Sequence, residues 1–172
     1  AWLMAGRRWR LRGDFVIRLD VVDCNIASSG VNAAVAMNAV TLGVRRMTNP
    51  AVALRVGRGR ADDFDGIIAE TDLALVGFEG LPGLTDFSLI LQRIDGEIAA
   101  AVAETDGTIH ELFGPTPLAG ILTVEIGARN ADTTPSGWAA QFNRFFAPVA
   151  RHDYSNAASW RPICCSRSSA AV

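Results

Sequence analysis

Residues 84–113 read Leu84-Thr85-Asp86-Phe87-Ser88-Leu89-Ile90-Leu91-Gln92-Arg93-Ile94-Asp95-Gly96-Glu97-Ile98-Ala99-Ala100-Ala101-Val102-Ala103-Glu104-Thr105-Asp106-Gly107-Thr108-Ile109-His110-Glu111-Leu112-Phe113. Two Asp-Gly pairs cut this stretch into three strand-like runs. An Asp-Gly pair takes positive φ at two successive residues at little cost, and the resulting tight turn has the twist that two antiparallel strands require. The stretch is therefore a β-meander, and an antiparallel sheet frames the reading of everything around it.

Upstream, Gly13-Asp14 precedes a run in which Phe15, Ile17, Leu19 and Val21 share one face and Arg18 and Asp20 the other, an amphipathic strand. Residues 31–46 are too long for one ordinary strand and lack helix caps. They are expected to break or bulge near Gly43, with a helix over 32–40 as the alternative that the alanines permit; Val31, Val35, Val40, Thr41 and Val44 weigh against the helix because β-branched side chains suit strands. Asn49-Pro50 marks a turn, 51–56 a short strand, 57–66 a polar Gly-rich loop and 67–76 another strand. Beyond the meander, Pro115 and Pro117 are expected to exclude regular structure, and strands are expected at 120–128 and 138–146. Turn signals recur mostly every eight to twelve residues with no sustained helical period, the pattern of an antiparallel all-β sandwich rather than of alternating β and α units.

The 172 residues, 49% of them hydrophobic, suit one domain with a packed core. The expected division is an N-terminal extension over 1–8, a sandwich over 9–147 and a C-terminal arm over 148–172, where periodicity ends. A net charge of −2 offers no basic field for nucleic acid. All sixteen basic residues are Arg, so the surface carries no lysine amines. No apolar run approaches the roughly 20 residues that cross a bilayer, so membrane insertion is not expected. The cysteines, at 24, 164 and 165, lack Cys-x-x-Cys spacing, which speaks against a zinc or redox site; a bridge from the tail to Cys24, placed in a loop, and three unpaired thiols both stay open.

Gly13-Asp14-Phe15-x-Ile17-x-Leu19-x-Val21, then Phe87-x-Leu89-x-Leu91-Gln92-Arg93-Ile94-Asp95-Gly96, then Thr105-Asp106-Gly107-Thr108, and finally Trp138-Ala139-Ala140-Gln141-Phe142-Asn143-Arg144-Phe145 resemble, in that order, the concanavalin A-like and laminin G-like jelly rolls. The resemblance covers about residues 9–147. It implies an all-β, antiparallel, two-sheet jelly-roll sandwich, with Phe15, Leu89, Leu91 and Phe142 pointing between the sheets. It does not imply one function, because such folds host lectins, glycosidases, adhesion modules and virion proteins.

Retaining glycosidases of that superfamily usually carry Glu-x-Asp-x-x-Glu on one strand. Here the nearest string, Glu70-Thr71-Asp72-Leu73-Ala74-Leu75, has Leu where the third acid belongs, so hydrolysis is disfavoured, and a glycan hydrolase or lyase stays a third possibility only if Glu70 and Asp72 line a groove with another acid. Asp62, Asp63 and Asp65 cluster in a Gly-flanked loop and are the candidate ligands for calcium, with an ordinary charged loop neutralised by Arg58 and Arg60 as the alternative; no other cofactor is expected. Trp138, beside the polar loop holding Asn130 and Asp132, is the candidate ring for stacking on a sugar, and these three are the candidate ligand-binding residues. Arg12-Gly13-Asp14 spells an integrin-binding tripeptide but opens a strand rather than tipping a loop. His110 and His152 lack a recognisable nucleophile. The leading expectation is a non-catalytic lectin-like module that binds carbohydrate or a protein neighbour on a cell or particle surface. The rival is a structural virion or assembly protein whose terminal arms contact other subunits and support a homo-oligomer.

Overall fold

The computed structural model describes residues 2–4, 10–49, 53–131 and 139–146. Their elements are all strands: β1 (Trp2–Met4), β2 (Arg10–Leu11), β3 (Phe15–Asn25), β4 (Asn38–Arg46), β5 (Ala53–Arg60), β6 (Asp65–Thr71), β7 (Leu75–Gly80), β8 (Phe87–Ile94), β9 (Glu97–Glu104), β10 (Ile109–Pro117), β11 (Leu122–Arg129) and β12 (Ala139–Phe146). They form two antiparallel sheets. One has seven strands in the order β1-β11-β4-β5-β6-β7, with β2 also paired to β11; the other runs β10-β9-β8-β3-β12.

The meander is β8-β9-β10, and its two turns differ. Ile94 pairs with Glu97, and Asp95 and Gly96 both take positive φ (53° and 80°), the tight two-residue turn expected. At the second turn only Gly107 does (φ 93°). There Gly107 N–H donates to Glu104 O and Glu104 N–H to Thr108 O, a three-residue loop closed by a bulge. The Asp106 carboxylate accepts the Thr108 amide at 2.8 Å, which holds this turn and lowers the acid's pKa.

Phe15, Ile17, Leu19 and Val21 are buried, and with Leu89, Leu91, Ile98 and Val102 they face Val40, Leu42, Val44, Leu54, Val56 and Ile67 across the gap. Pairing β3 with β8 sets Leu19 opposite Leu89 and Ile17 opposite Leu91, so the inward residues align strand to strand. Arg93 closes one end of the core. It is 3% exposed, its guanidinium lies 5.0 Å from the Phe15 ring, and it donates to the carbonyls of Gly13, Leu118 (3.3 Å) and Gly120 (2.8 Å). With no acid bonded to it, burial depresses its pKa, opposed only by Asp14. Gly13 (φ 65°) is thus the pinned turn before β3, not the tip of a displayed loop.

Several expectations need correction. The helix alternative over 32–40 is rightly disfavoured, but the chain does not break or bulge at Gly43; residues 26–37 are a loop and β4 runs through Gly43 without interruption. The expected loop 57–66 is mostly strand, with Gly57–Arg60 extending β5, Asp65 and Gly66 starting β6, and residues 61–64 making the turn. Composition misled here, since alternating Gly and Arg along a strand read like a loop. Residues 67–76 are not one strand but the end of β6, a turn at 72–74 and the start of β7. Pro115 and Pro117 lie within β10, which tolerates them as the edge strand with register shifts on either side of Phe113. Cys24 lies inside β3, free and buried, and burial raises its pKa against the opposing pull of Arg58. Phe142 is in β12, but its side chain lies outside the described residues, as do Cys164, Cys165, His152 and the arm over 148–172.

Candidate functional site

The outward face of the seven-stranded sheet carries the main concentration of polar groups among the described residues. Register builds it. Glu125 of β11 pairs with Gly43 of β4, Gly43 with Arg55 of β5, and Arg55 with Glu70 of β6, so these four stand in one row across four strands. The next row runs Gly127, Thr41, Gly57, Ile68 and Phe78. Since side chains alternate faces along each strand, Arg45, Thr123 and Arg129 share this face.

Gly43 explains the charged row. A Cβ there would stand 2.8 Å from Arg55 Cγ and 3.2 Å from Leu54 O, so the Arg55 side chain occupies the space that a residue-43 side chain would need. Arg55, 7% exposed, donates to Asp72 at 2.7 Å and lies 3.5 Å from Glu125. Arg45 bonds the same two acids, to Asp72 at 2.8 Å and to Glu125 through Nε. Arg129 donates to both oxygens of Glu70, at 3.1 and 3.3 Å, and to Met37 O at 3.1 Å. β4 and β5 separate β11 from β6, so the Arg129–Glu70 pair bridges over them, where Ala39, Thr41, Gly57 and Gly59 leave room.

These groups line a groove of about 400 Å³ whose floor includes Thr41 and Gly127. Its charged lining comprises Arg45, Arg55, Arg129, Glu70, Asp72 and Glu125, three cations against three acids. Burial would raise the Asp72 carboxyl, but hydrogen bonds from Arg55 and Arg45 outweigh it and hold its pKa below the usual range. Arg45 is shifted upward, chiefly by its bond to Glu125. Asp72 sits in the β6–β7 turn, fixed by Thr71 Oγ1, which accepts the amides of Leu73 and Ala74 at 3.3 and 3.1 Å.

A second recess of about 550 Å³ adjoins the groove; Glu70 and Arg129 line both. Its other walls are apolar: Phe64, Leu75, Phe78 and the loop 33–37. Phe64 and Phe78 meet edge to face, centroids 6.3 Å apart at 79°. Phe78 is 67% exposed and Val35 77%.

Two of the acids proposed for calcium, Asp62 and Asp63, hold a wall of this recess in place. Asp63 accepts the Ala33 amide at 2.6 Å, Asp62 bonds Ser28 Oγ while its amide donates to Val31 O, and Asp65 pairs with Arg58 at 2.6 Å. The first two pin the loop 28–36 against the sheet and the third neutralises an arginine, so they point to different partners. No group of three or more His, Cys, Asp or Glu able to hold a metal occurs among the described residues. Asn130 follows β11 and is half-buried, next to Ala131, whose amide donates to Asn38 at 2.7 Å. Trp138 and Asp132 lie outside the described residues. Glu70 and Asp72 do meet in a groove with a third acid, Glu125, which comes from β11 and not from their own strand. Sequence reading passed over Arg45, Arg55, Glu125, Arg129, Phe64 and Phe78. The available signal was the period-two spacing of Thr123, Glu125, Gly127 and Arg129, which puts charge and glycine on one face.

At the β7 edge, His110 of β10 joins the two sheets. Its Nδ1 is 3.1 Å from both carboxylate oxygens of Glu79 in β7, and its Nε2 is 2.8 Å from Glu104 of β9. The Glu104 bond, opposed by burial and aided by Glu79, raises its pKa. The sheets nearly touch here, since a Cβ on Gly77 would stand 1.9 Å from Leu112 O.

Solved structures share this architecture. A functionally unknown protein from Saccharomyces cerevisiae superposes with a TM-score of 0.64 at 14% identity, over 84% of this chain and 74% of its own. Lectin I-B4 from Griffonia simplicifolia, in its metal-free form, gives 0.58 at 9% identity, over 86% and 80%. The GH43 protein BlXynB from Bacillus licheniformis, as a mutant, gives 0.61 at 13% identity over 81% of this chain but 28% of that longer one. The fold is a concanavalin A-like jelly roll. No protein-family model matches the chain, and no curated protein does.

Proposed function

We propose that this protein is a non-catalytic, lectin-like module that binds carbohydrate in the groove on the outer face of its seven-stranded sheet. The supporting observation is that each acid lining the groove is held by an arginine: Glu70 by Arg129, and Asp72 and Glu125 by Arg45 and Arg55. Such an array presents fixed donors and acceptors to sugar hydroxyls. Glycoside hydrolysis instead asks for a carboxyl raised enough to stay protonated and a second acid free to act as nucleophile or base. Asp72 is shifted the other way. The lectin and GH43 likenesses support a carbohydrate ligand at the level of fold.

A glycan array with the whole chain, followed by calorimetry on the best ligand, tests this reading. Replacing Glu70 and Arg129 together by Gln removes the bridge without stranding a charge, and is expected to weaken binding about tenfold, the effect of losing one charge-assisted hydrogen bond. No reducing ends should be released, and chelation of calcium should leave affinity unchanged. Release of reducing ends that stops with Glu125→Gln would overturn the non-catalytic reading.

A further inference from the structure

The apolar recess shares Glu70 and Arg129 with the charged groove beside it. We infer that groove and recess together form one extended site for an uncharged oligosaccharide, with one sugar face stacked on Phe78 and Val35 and the next sugars hydrogen-bonded over the arginine-carboxylate rows. The inference rests on the proposed carbohydrate reading and adds the class of ligand.

Two independent observations carry it. The first is charge. The described groove lining has three arginines and three carboxylates, each cation bound to an acid, and Arg55 and Glu70 are each 7% exposed. A uronate could gain an arginine here only by displacing Glu70, Asp72 or Glu125, leaving that acid next to the incoming one in a partly dehydrated site, where like charges repel strongly. Hydroxyl groups make no such demand, because they donate to carboxylate oxygens and accept from guanidinium N–H while every ion pair stays closed. The chain's net charge of −2 likewise provides no long-range attraction for a polyanion.

The second is continuity. Glu70 and Arg129 line both cavities, so the bridge they form is a shared wall and not an end. The two volumes, about 400 and 550 Å³, each fall within the range of small-ligand sites of roughly 300–1,000 Å³. Past the bridge the lining changes from charged to apolar. A sugar ring has the same division, with hydroxyls around its rim and C–H groups on its faces. The open ring of Phe78, held edge to face by Phe64, suits the C–H face.

Titration calorimetry of the whole protein with neutral xylo- and gluco-oligosaccharides, and with alginate and polygalacturonate oligosaccharides of equal length, tests the inference. The neutral series should bind at least about tenfold tighter, which is about 1.4 kcal/mol. Its Kd should change by less than about twofold between 0.05 and 0.5 M salt, because no net charge is neutralised. Phe78→Ala should weaken neutral binding about fivefold or more, and Phe78→Trp should keep or improve it. Residue 78 is exposed, so neither variant threatens the core. Tighter binding of the uronates, or affinity that collapses with salt, overturns this inference and leaves the groove reading standing. Neutral binding indifferent to Phe78→Ala also overturns it, since the recess then takes no part. Failure of every glycan to bind overturns both.

Discussion

Gly43→Ala puts one methyl group into the centre of the charged row. The new Cβ would lie 2.8 Å from Arg55 Cγ and 3.2 Å from Leu54 O, and Cγ is too near the backbone to swing aside without moving the whole side chain. Overfilling a packed position costs about 1–3 kcal/mol, while replacing Gly by Ala in a strand returns about 0.5–1 kcal/mol of chain entropy. The net expectation is a loss of about 1–2 kcal/mol. For a chain of this length that lowers Tm by about 2–8 °C. Thermal and urea unfolding followed by circular dichroism would measure it. Gly80→Ala is the control, because nothing lies within 4 Å of its Cβ and its φ is not positive; it should be neutral or slightly stabilising. A double-mutant cycle isolates the cause. In an Arg55→Ala background the clash with Cγ is absent, so Gly43→Ala should cost at least about 1 kcal/mol less than in the parent. Equal cost in both backgrounds would refute the argument that Gly43 exists to let Arg55 lie across the sheet.

Arg93→Met keeps most of the packing against Phe15 but removes the donors to Gly13, Leu118 and Gly120, and is expected to cost about 3 kcal/mol, seen as a fall in urea midpoint with unchanged slope. Gly77→Ala drives a methyl group onto Leu112 O across the gap between sheets and should destabilise by more than Gly43→Ala; hydrogen exchange should show β7 and β10 opening first, and uniform protection would contradict this. His110 has a raised pKa when folded, so the stability it adds is full below its unfolded value near 6.5 and is lost as pH rises through the higher folded value. His110→Gln should flatten stability against pH across that window, and an unchanged slope would show that His110 does not link the sheets electrostatically.

What was legible in the sequence followed from where each residue faces. In β3 the outward positions are partly exposed and hold Arg18 and Asp20, so alternation was plain over Phe15 to Val22, though not over the last three residues, where Cys24 reads as loop. The meander was legible because Asp95-Gly96 and Asp106-Gly107 mark turns through backbone preference alone. β4 and β5 were harder. Both are buried nearly throughout, so their exposure does not alternate, and the outer face is made of Thr41, Gly43, Arg55, Gly57 and Gly59, residues that also make loops. A strand whose outward residues are glycine and paired arginine has no polar-apolar signature. The loop reading of 57–66 failed for that reason, and spacing along the chain could not show the partners that the hairpin gives Asp62, Asp63 and Asp65, which are Ser28, Ala33 and Arg58.

The same physics hid the groove. An ion pair such as Arg129–Glu70 joins residues 59 apart in sequence and is created only when β11, β4, β5 and β6 line up in register. No local window contains it. The Glu-x-Asp-x-x-Glu spacing points to Glu70 and Asp72 but places the third acid on the same strand, whereas the sheet supplies Glu125 from β11 and supplies arginines at the same time. That pairing changes what the acids are suited to do. Carboxylates each closed onto a guanidinium are held in fixed positions, which under the proposed reading suits them to hydrogen-bond a pattern of hydroxyls. Glycine at 43 and 57 is the condition for both: without side chains at those points, long arginines can lie flat across neighbouring strands, reach acids two strands away and leave an open trough above the sheet.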